Sequence, residues 1–248
     1  MPKFLFKIFI IILFLGLFFF FTRPSDKTPN STEEIFTEST TEEIASIDYP
    51  TIVLDAGHGG KDPGKVGINN ALEKDINLSI VLKLKDLLTK EGFTVYLTRT
   101  SDSLLSAPNS NSWKKDDMIA RIQMVEQLQP FFTVSIHQNS FPDPTVNGPQ
   151  VFYYKDSVES ATMAQVIQDI LNTQLEPEKK RAPQANTNYY LLTRTPTPTI
   201  IVECGFLSNP TEADLLIQEE YQNRVAYSIF SGILAYYEAT TLNQTMSE

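Results

Sequence analysis

Cysteine and basic residues are scarce in this chain. The single cysteine, Cys204, excludes an intrachain disulfide and lies in an apolar stretch, so we expect a small buried side chain and no redox chemistry. Lysine and arginine number 20 against 30 acidic residues, which gives a formal net charge of −10. Because nucleic acid requires a positively charged protein face, the composition argues against a nucleic-acid partner.

Charge is also missing from a long run near the N terminus. Residues 8–22 carry no charged side chain, and only Lys7 interrupts the apolar run back to Phe4. The run approaches the ~20 residues that cross a bilayer, and Lys3 and Lys7 precede it, which predicts an extracytoplasmic position for the remainder. A small-x-small cleavage site is missing, so we interpret residues 1–23 as a membrane anchor, with a cleaved signal segment as the alternative.

Residues 24–48 lack apolar periodicity and are rich in Ser, Thr and Glu. This composition is typical of a disordered acidic linker, which as a flexible coil would have an end-to-end distance of roughly 25 to 30 Å. We therefore divide the chain into an anchor at 1–23, the linker at 24–48, one globular domain at 49–240 and a C-terminal tail at 241–248.

Strand-like and helix-like patterns alternate beyond the linker. Helices are predicted at 73–89, where Gly92 ends the helix, and at 115–128, 157–174 and 212–237. Strands are predicted at 51–54, 93–98, 131–136, 149–154, 189–192 and 199–202, with 149–154 at an edge of the sheet. The pattern predicts a single α/β domain whose mostly parallel or mixed central sheet of about six strands is covered by helices on both faces.

The chain contains only two histidines, His58 and His137, and each follows the end of a predicted buried strand. Glu203 follows another such strand. Ligands of open α/β sheets bind beyond the carboxyl ends of the strands, so we expect these three side chains to meet. Two imidazoles and a carboxylate, with a fourth position open to water, are typical of a hydrolytic zinc site.

Two glutamates compete for the role of carboxylate ligand. Glu73 is a candidate, but the spacing Asn70-x-x-Glu73 equally fits a capping box at a helix N terminus. Glu203 borders a buried apolar run, where a carboxylate has to be paired or functional. The residues alone leave both choices open.

Five motifs in order resemble those of one enzyme family. They are LDAGHGGKDPG at 54–64, Glu73 with Asn77, LTRTSD at 97–102, SIHQNS at 135–140 and VECGFLSN at 202–209. Together they resemble the zinc-dependent N-acetylmuramoyl-L-alanine amidases of the amidase_3 type over residues 50–238. The hydrophobic N terminus and the absence of a wall-binding repeat look most like the single-domain germination or sporulation amidases of spore-forming bacteria.

The resemblance implies both a reaction and a set of site residues. It implies Zn²⁺ held by His58, Glu73 and His137, with Glu203 as the catalytic acid/base. The substrate would be peptidoglycan, cut at the amide between the lactyl group of N-acetylmuramic acid and L-alanine. Two departures are Gln138, where a small residue is more usual, and Cys204 directly after the catalytic glutamate.

Neighbouring polar residues receive supporting roles. We expect Asp55 either to orient His58 or to cap a turn, and Arg99 and Asp102 to form a structural pair. The segment between His137 and Pro149 is too short for a helical plug, so we expect an open site. Another zinc peptidase acting on stem peptides, or a non-catalytic peptidoglycan-binding module, would be the alternative, and a need for a partner lipoprotein stays open.

Overall fold

The computed structural model describes residues 49–106 and 111–245, and six strands within them form one mixed sheet. The strands are β1 (Thr51–Ala56), β2 (Thr94–Leu97), β3 (Phe132–Asn139), β4 (Gln150–Tyr154), β5 (Gln184–Asn186) and β6 (Thr199–Phe206). Their order is β2-β1-β3-β6-β4-β5, and among these strands only the β4–β6 pair is antiparallel.

Helices cover both faces of this sheet, which confirms the predicted fold class. They are α1 (Glu73–Glu91), α2 (Trp113–Leu128), α3 (Val158–Gln174), α4 (Tyr190–Arg194), α5 (Pro210–Leu216) and α6 (Glu219–Thr245). The main core joins one face of the sheet to α1, α3 and α6, while Phe152, Leu192 and Ile201 form a second cluster. Successive strand residues point to opposite faces, so Ile201 lies opposite its neighbours Ile200 and Val202, which belong to the main core.

Two predicted helix ends are fixed by local chemistry. Gly92 follows α1 with φ 114° and donates its N–H to the carbonyls of Leu88 and Thr89, a left-handed conformation that glycine adopts without steric cost. Ser157 precedes α3, and its side chain accepts from the N–H of Ser160. Such caps satisfy backbone groups that the helix itself leaves unpaired.

The strand predicted at 189–192 is wrong, because this segment forms the single turn α4. Asn186 Oδ1 accepts hydrogen bonds from the N–H groups of Asn188 and Tyr189 at 2.7 and 2.8 Å, which bends the chain before the turn begins. The sixth strand is the short polar β5 instead, and it takes the edge position. The prediction that 149–154 is an edge strand is therefore also wrong, since β4 pairs on both sides.

The helix predicted at 212–237 is two helices. Asn209 caps α5 through the N–H of Glu212, Pro210 opens it, and the chain breaks before α6 begins at Glu219. Gln222 Nε2 donates to the carbonyl of Leu216 at 2.8 Å, so the break leaves this carbonyl satisfied. The second helix continues to Thr245, into the segment predicted as a tail.

The first 48 residues lie outside the described part of the chain, and so do the predicted anchor at 1–23 and linker at 24–48. Within residues 49–106 and 111–245, no helix has both the length and the apolar character needed to cross a bilayer.

Candidate metal centre and active site

His58, Glu73 and His137 come together at one end of the sheet. One ligand atom from each lies within 4.8 Å of the others. Glu73 Oε2 lies 3.2 Å from Nε2 of His58, and Glu73 Oε1 lies 2.9 Å from Nδ1 of His137. The expected meeting of the two histidines is confirmed, but the carboxylate that joins them is Glu73, while Glu203 lies beside His137 in the sheet. The donor set of His58, Glu73 and His137 can hold a divalent metal ion.

Each of the three side chains comes from a different kind of element. His58 lies on the loop after β1 with φ 63°, and Glu73 is the first residue of α1. His137 lies within β3, and Glu203 lies within β6 as its register partner. Both strands thus run further than predicted, and these two residues are not beyond the strand ends.

The capping-box interpretation of Glu73 is wrong. Leu72 is the N-cap of α1 without a side-chain cap, and Asn70 has φ 64° two residues earlier. The Glu73 carboxylate instead accepts from the N–H of Lys65 at 2.7 Å and of Gln138 at 3.1 Å. Glu73 is 2 % exposed, so these bonds and the two imidazoles account for a buried charge that would otherwise be costly.

Two glycines make room for the cluster. A methyl group on Gly57 would lie 2.2 Å from Cε1 of His137, and one on Gly64 would lie 2.5 Å from Oε2 of Glu73. Gly64 also has φ +68°, which favours glycine. The glycines of the first motif therefore let the backbone approach the ligand side chains.

Asp62, and not Asp55, orients His58. Asp62 Oδ2 lies 2.8 Å from Nδ1 of His58, which leaves Nε2 facing Glu73. Asp55 is bound instead to Arg121 of α2 and accepts from the hydroxyls of Thr98 and Ser135. Both predicted roles of Asp55, orienting His58 and capping a turn, are therefore wrong.

Two buried guanidinium groups hold the loop that carries His58. Arg121 donates to the carbonyls of Ala56 and His58, both at 2.8 Å. Arg99 donates to the carbonyls of Ala56 at 2.9 Å and Gly57 at 3.1 Å. The structural role predicted for Arg99 is confirmed.

The partner predicted for Arg99 is wrong, because Asp102 binds elsewhere. Asp102 pairs with Lys74 at 2.7 Å and accepts from the N–H of Gly60 at 2.7 Å. It thus holds the far end of the same loop.

Gln138, the residue that departs from the family pattern, belongs to the buried network behind the ligands. Its Nε2 donates to Oδ1 of Asn77 at 3.1 Å, and Asn77 in turn donates to the carbonyl of Gly57 at 3.1 Å. The backbone N–H of Gln138 binds Glu73. Gln138 is thus bonded both to a candidate ligand and to the residue that holds the carbonyl of Gly57.

Glu73 and His137 shift each other's pKa values in opposite directions. Burial alone would raise the pKa of Glu73, but hydrogen bonds and charge from His137 and His58 hold it well below its usual range. Burial alone would lower the pKa of His137, yet Glu73 raises it to about 9. A metal ion has to displace this proton, so metal binding is coupled to proton release.

Glu203 stands beside the cluster as a second, separate carboxyl group. Burial raises its pKa to about 7 against the opposing charge of His137. It is 8 % exposed, and its Oε2 accepts no hydrogen bond from any residue that the structure describes. The adjacent Cys204 is fully buried, as predicted, and burial raises the pKa of its thiol.

A cavity of about 180 Å³ opens next to Glu203, between α2, α4 and the sheet. The chain between β3 and β4 contains no helix, in agreement with the expected absence of a helical plug. Space beside a buried carboxyl group and a candidate metal site is the arrangement that a hydrolytic reaction needs.

Sequence reasoning missed Asp62 and Arg121. Asp62 had a visible signal, since it follows His58 by four residues in the same Gly-rich loop. Arg121 had no such signal in the sequence, because its partners Asp55 and His58 are 66 and 63 residues away in the chain.

Comparison with known proteins agrees with this geometry. The family model for N-acetylmuramoyl-L-alanine amidase (Amidase_3) matches residues 52–235. The germination-specific N-acetylmuramoyl-L-alanine amidase of Bacillus subtilis (strain 168) is 38 % identical over 189 residues, which cover 75 % of this chain and 79 % of that protein.

Solved structures of similar proteins have the same fold. The CwlD amidase from Clostridioides difficile, solved in complex with the GerS lipoprotein, superposes with a TM-score of 0.74 at 36 % identity, over 77 % of this chain and 99 % of that one. The catalytic domain of CwlV, an amidase from Bacillus (Paenibacillus) polymyxa var. colistinus, gives 0.67 at 32 % identity, over 76 % and 98 % of the two chains. With the motifs, the fold and the site in agreement, the chain belongs to the N-acetylmuramoyl-L-alanine amidase family Amidase_3.

Proposed function

We propose that this peptidoglycan amidase depends on one Zn²⁺ ion held by His58, Glu73 and His137, and that Glu203 is its catalytic acid/base. The observation that carries the proposal is the convergence of three ligand atoms within 4.8 Å beside a buried carboxyl oxygen that has no partner among the described residues. The bond cut is the amide between the lactyl group of N-acetylmuramic acid and L-alanine.

The donor set suits zinc. Two imidazoles and one carboxylate, with a fourth position for water, are the usual ligands of zinc hydrolases. The contact between Asp62 and His58 fits the carboxylate partner that metal-bound histidines commonly have. When bound, Zn²⁺ would supply an acidified water and a Lewis acid for the amide carbonyl.

Glu203 would move the proton in both halves of the reaction. Its carboxylate accepts a proton from the attacking water as the new C–O bond forms. The same proton passes to the leaving nitrogen of L-alanine as the C–N bond breaks, so the amine departs neutral. The buried Oε2 of Glu203 has no hydrogen-bond partner among the described residues, which supports this role, because a carboxyl oxygen committed to the backbone would not be free to exchange a proton.

We further propose that the protein acts outside the cytoplasm, anchored through residues 1–23, and serves during sporulation or germination. The apolar run and the lysines before it support the anchor, and the relative from Bacillus subtilis is named for germination.

Because the similar amidase from Clostridioides difficile was solved with a lipoprotein, a lipoprotein partner is also proposed. Purification of this protein from the membranes of sporulating cells would test the partner, because a bound lipoprotein should co-purify with it.

Product analysis tests the reaction. Purified peptidoglycan is digested with the protein, with and without added Zn²⁺, and the fragments are identified by mass spectrometry. The proposal predicts glycan strands without stem peptides and new L-alanine amino termini, only when the metal is present. Cleavage within the stem peptide would indicate a zinc peptidase, and binding without cleavage would indicate a non-catalytic module.

A further inference from the structure

The cavity beside Glu203 has a defined shape and composition. Besides His137 and Glu203, its lining comes from Asp55, Met118, Tyr189, Tyr190, Leu191 and Ile201. Apolar and aromatic side chains thus line the cavity together with the reacting groups, and Tyr189 and Tyr190 form its aromatic wall. Mostly apolar walls with a few convergent polar groups are typical of small-molecule binding sites.

The aromatic wall is held in place by its surroundings. The ring of Tyr189 packs edge to face on Phe152, with 5.3 Å between centroids, and its backbone N–H is bound by Asn186. Tyr190, at the start of α4, is 46 % exposed. Arg194 lies over the Tyr190 ring at 5.5 Å but does not line the cavity. The two phenol groups therefore form a preformed surface whose polar tips can make hydrogen bonds.

Charge in the cavity disfavours an anionic ligand. Its acidic lining residues are Asp55, which is already paired with Arg121, and Glu203, while its basic lining residue His137 is already bound by Glu73. A peptide carboxylate brought here would therefore meet acidic groups, and it would find no basic lining side chain that is not already engaged.

Cations cluster on the other side of His58 instead. The Nζ atoms of Lys61 and Lys114 lie 4.8 and 5.2 Å from the centre of the Trp113 ring, and Lys114 Nζ is 3.6 Å from Oδ1 of Asp62. The two lysines therefore lie at the Asp62 end of the site, and the cavity lining contains no lysine or arginine.

The two halves of the substrate differ in the same way. The N-acetylmuramyl half is a neutral sugar, whose C–H faces pack on aromatic rings and whose hydroxyl and acetamido groups bond to phenols. The stem peptide ends in a carboxylate. On the basis of the proposed function, we propose that the cavity walled by Tyr189, Tyr190 and Met118 binds the N-acetylmuramyl half and leaves the stem peptide at the end of Lys61 and Lys114.

A pair of matched substrates tests this assignment. One is an N-acetylmuramoyl tripeptide, and the other is the D-lactoyl tripeptide with the same amide and peptide but no sugar ring. Tyr190→Ala should lower kcat/KM for the muramoyl substrate about tenfold, mainly through KM, because the loss is one of binding. For the lactoyl substrate, the variant and the unaltered protein should agree within about twofold.

Two further variants control the experiment. Tyr227→Ala removes a comparably exposed tyrosine from α6, at 54 % exposure and outside the cavity lining, and should leave both substrates unaffected. Tyr189→Phe keeps the ring on Phe152 and removes only the hydroxyl, so it should cause a smaller loss that is again confined to the muramoyl substrate.

Equal losses on both substrates, or no loss on the muramoyl substrate, would overturn the assignment. If the unaltered protein cuts the lactoyl substrate too slowly to measure, inhibition by the neutral N-methylamide of N-acetylmuramic acid decides instead: Tyr190→Ala should weaken it, and unchanged inhibition would refute the assignment. Failure of the unaltered, zinc-supplied protein to cut either substrate would contradict the proposed function itself, and the assignment with it.

Discussion

Asp62 lies four residues after His58 in the same loop, and its carboxylate contacts Nδ1 of the His58 imidazole. This contact sets which ring nitrogen carries the proton and leaves the other nitrogen facing Glu73. The nearby Asp55 contributes differently, because it binds Arg121, which in turn holds the carbonyl of His58. One aspartate thus orients the side chain and the other supports the backbone.

Asp62→Asn should weaken zinc binding by about 10- to 100-fold, because an amide is a poorer partner for the His58 ring than a carboxylate. The affinity is measured by competition with a chelator of known strength. Asp143→Asn is the control, since Asp143 is exposed and bonds only within its own turn, to Thr145. An Asp62 variant that binds zinc as tightly as this control would show that the contact does not support the metal.

At this scale the sequence was informative where a residue type is rare. The two histidines stand out in a chain that has no others, and the structure brings both into one candidate metal site, as expected. The spacing of Asp62 four residues after His58 is a hint of a contact, but it was missed because His58 has a positive φ that the sequence does not reveal. The choice between ligand and cap for Glu73 likewise required knowing where Lys65 and Gln138 present their N–H groups.

The buried pair of Asp55 and Arg121 joins the end of β1 to the middle of α2. Burial would raise the pKa of Asp55, but Arg121, His137 and the hydroxyls of Ser135 and Thr98 lower it to about 2 from the usual 3.8. The charged form is therefore favoured by folding. This stabilisation is fully present above the unfolded value and is lost as the pH falls through the folded one.

The free energy of unfolding should consequently fall by about 2 kcal/mol from this group alone between about pH 4 and about pH 2. Carboxyl-carbon NMR across that range gives the titration of Asp55 directly, and urea denaturation at each pH gives the accompanying stability. An Asp55 midpoint near 3.8 or above would mean that Arg121 does not compensate its burial.

Long periodic elements were predictable and short ones were not. The helices α1, α2 and α3 were found within two residues at each end, because each is at least 16 residues long and a helical pattern of that length can be recognised. The single turn α4 was mistaken for a strand since its run of apolar side chains is too short to define a period. The edge strand β5 is polar and three residues long, so its pairing with β4 left no trace in the sequence.

Tyr49 is the first described residue, and it packs against the globular domain. Its hydroxyl donates to Oε1 of Glu91 at 3.0 Å, and its ring packs on Phe93 and Tyr237, with centroids 4.5 and 5.2 Å away. A chain that begins at Tyr49 retains these contacts. It should therefore cut a soluble muropeptide at the same rate as the full chain, within about twofold.

The same truncation tests the proposed anchor. The full chain should sediment with membranes, and residues 49–248 should remain in the soluble fraction. Mature protein that begins near Thr22 in the culture medium would instead show a cleaved signal segment. A folded truncation that fails to cut a substrate of the full chain would contradict the division between anchor and catalytic domain.

The roles of the two glutamates form the central claim, and one paired measurement tests it most directly: zinc content per chain beside amide cleavage, for Glu73→Gln and Glu203→Gln. Glu73→Gln should lose zinc and activity together, because one of three protein ligands is impaired. Glu203→Gln should keep its zinc while turnover falls by at least about 100-fold, as expected for loss of a general base. A Glu73 variant with full zinc and normal cleavage, or a Glu203 variant with near-normal turnover, would contradict the account.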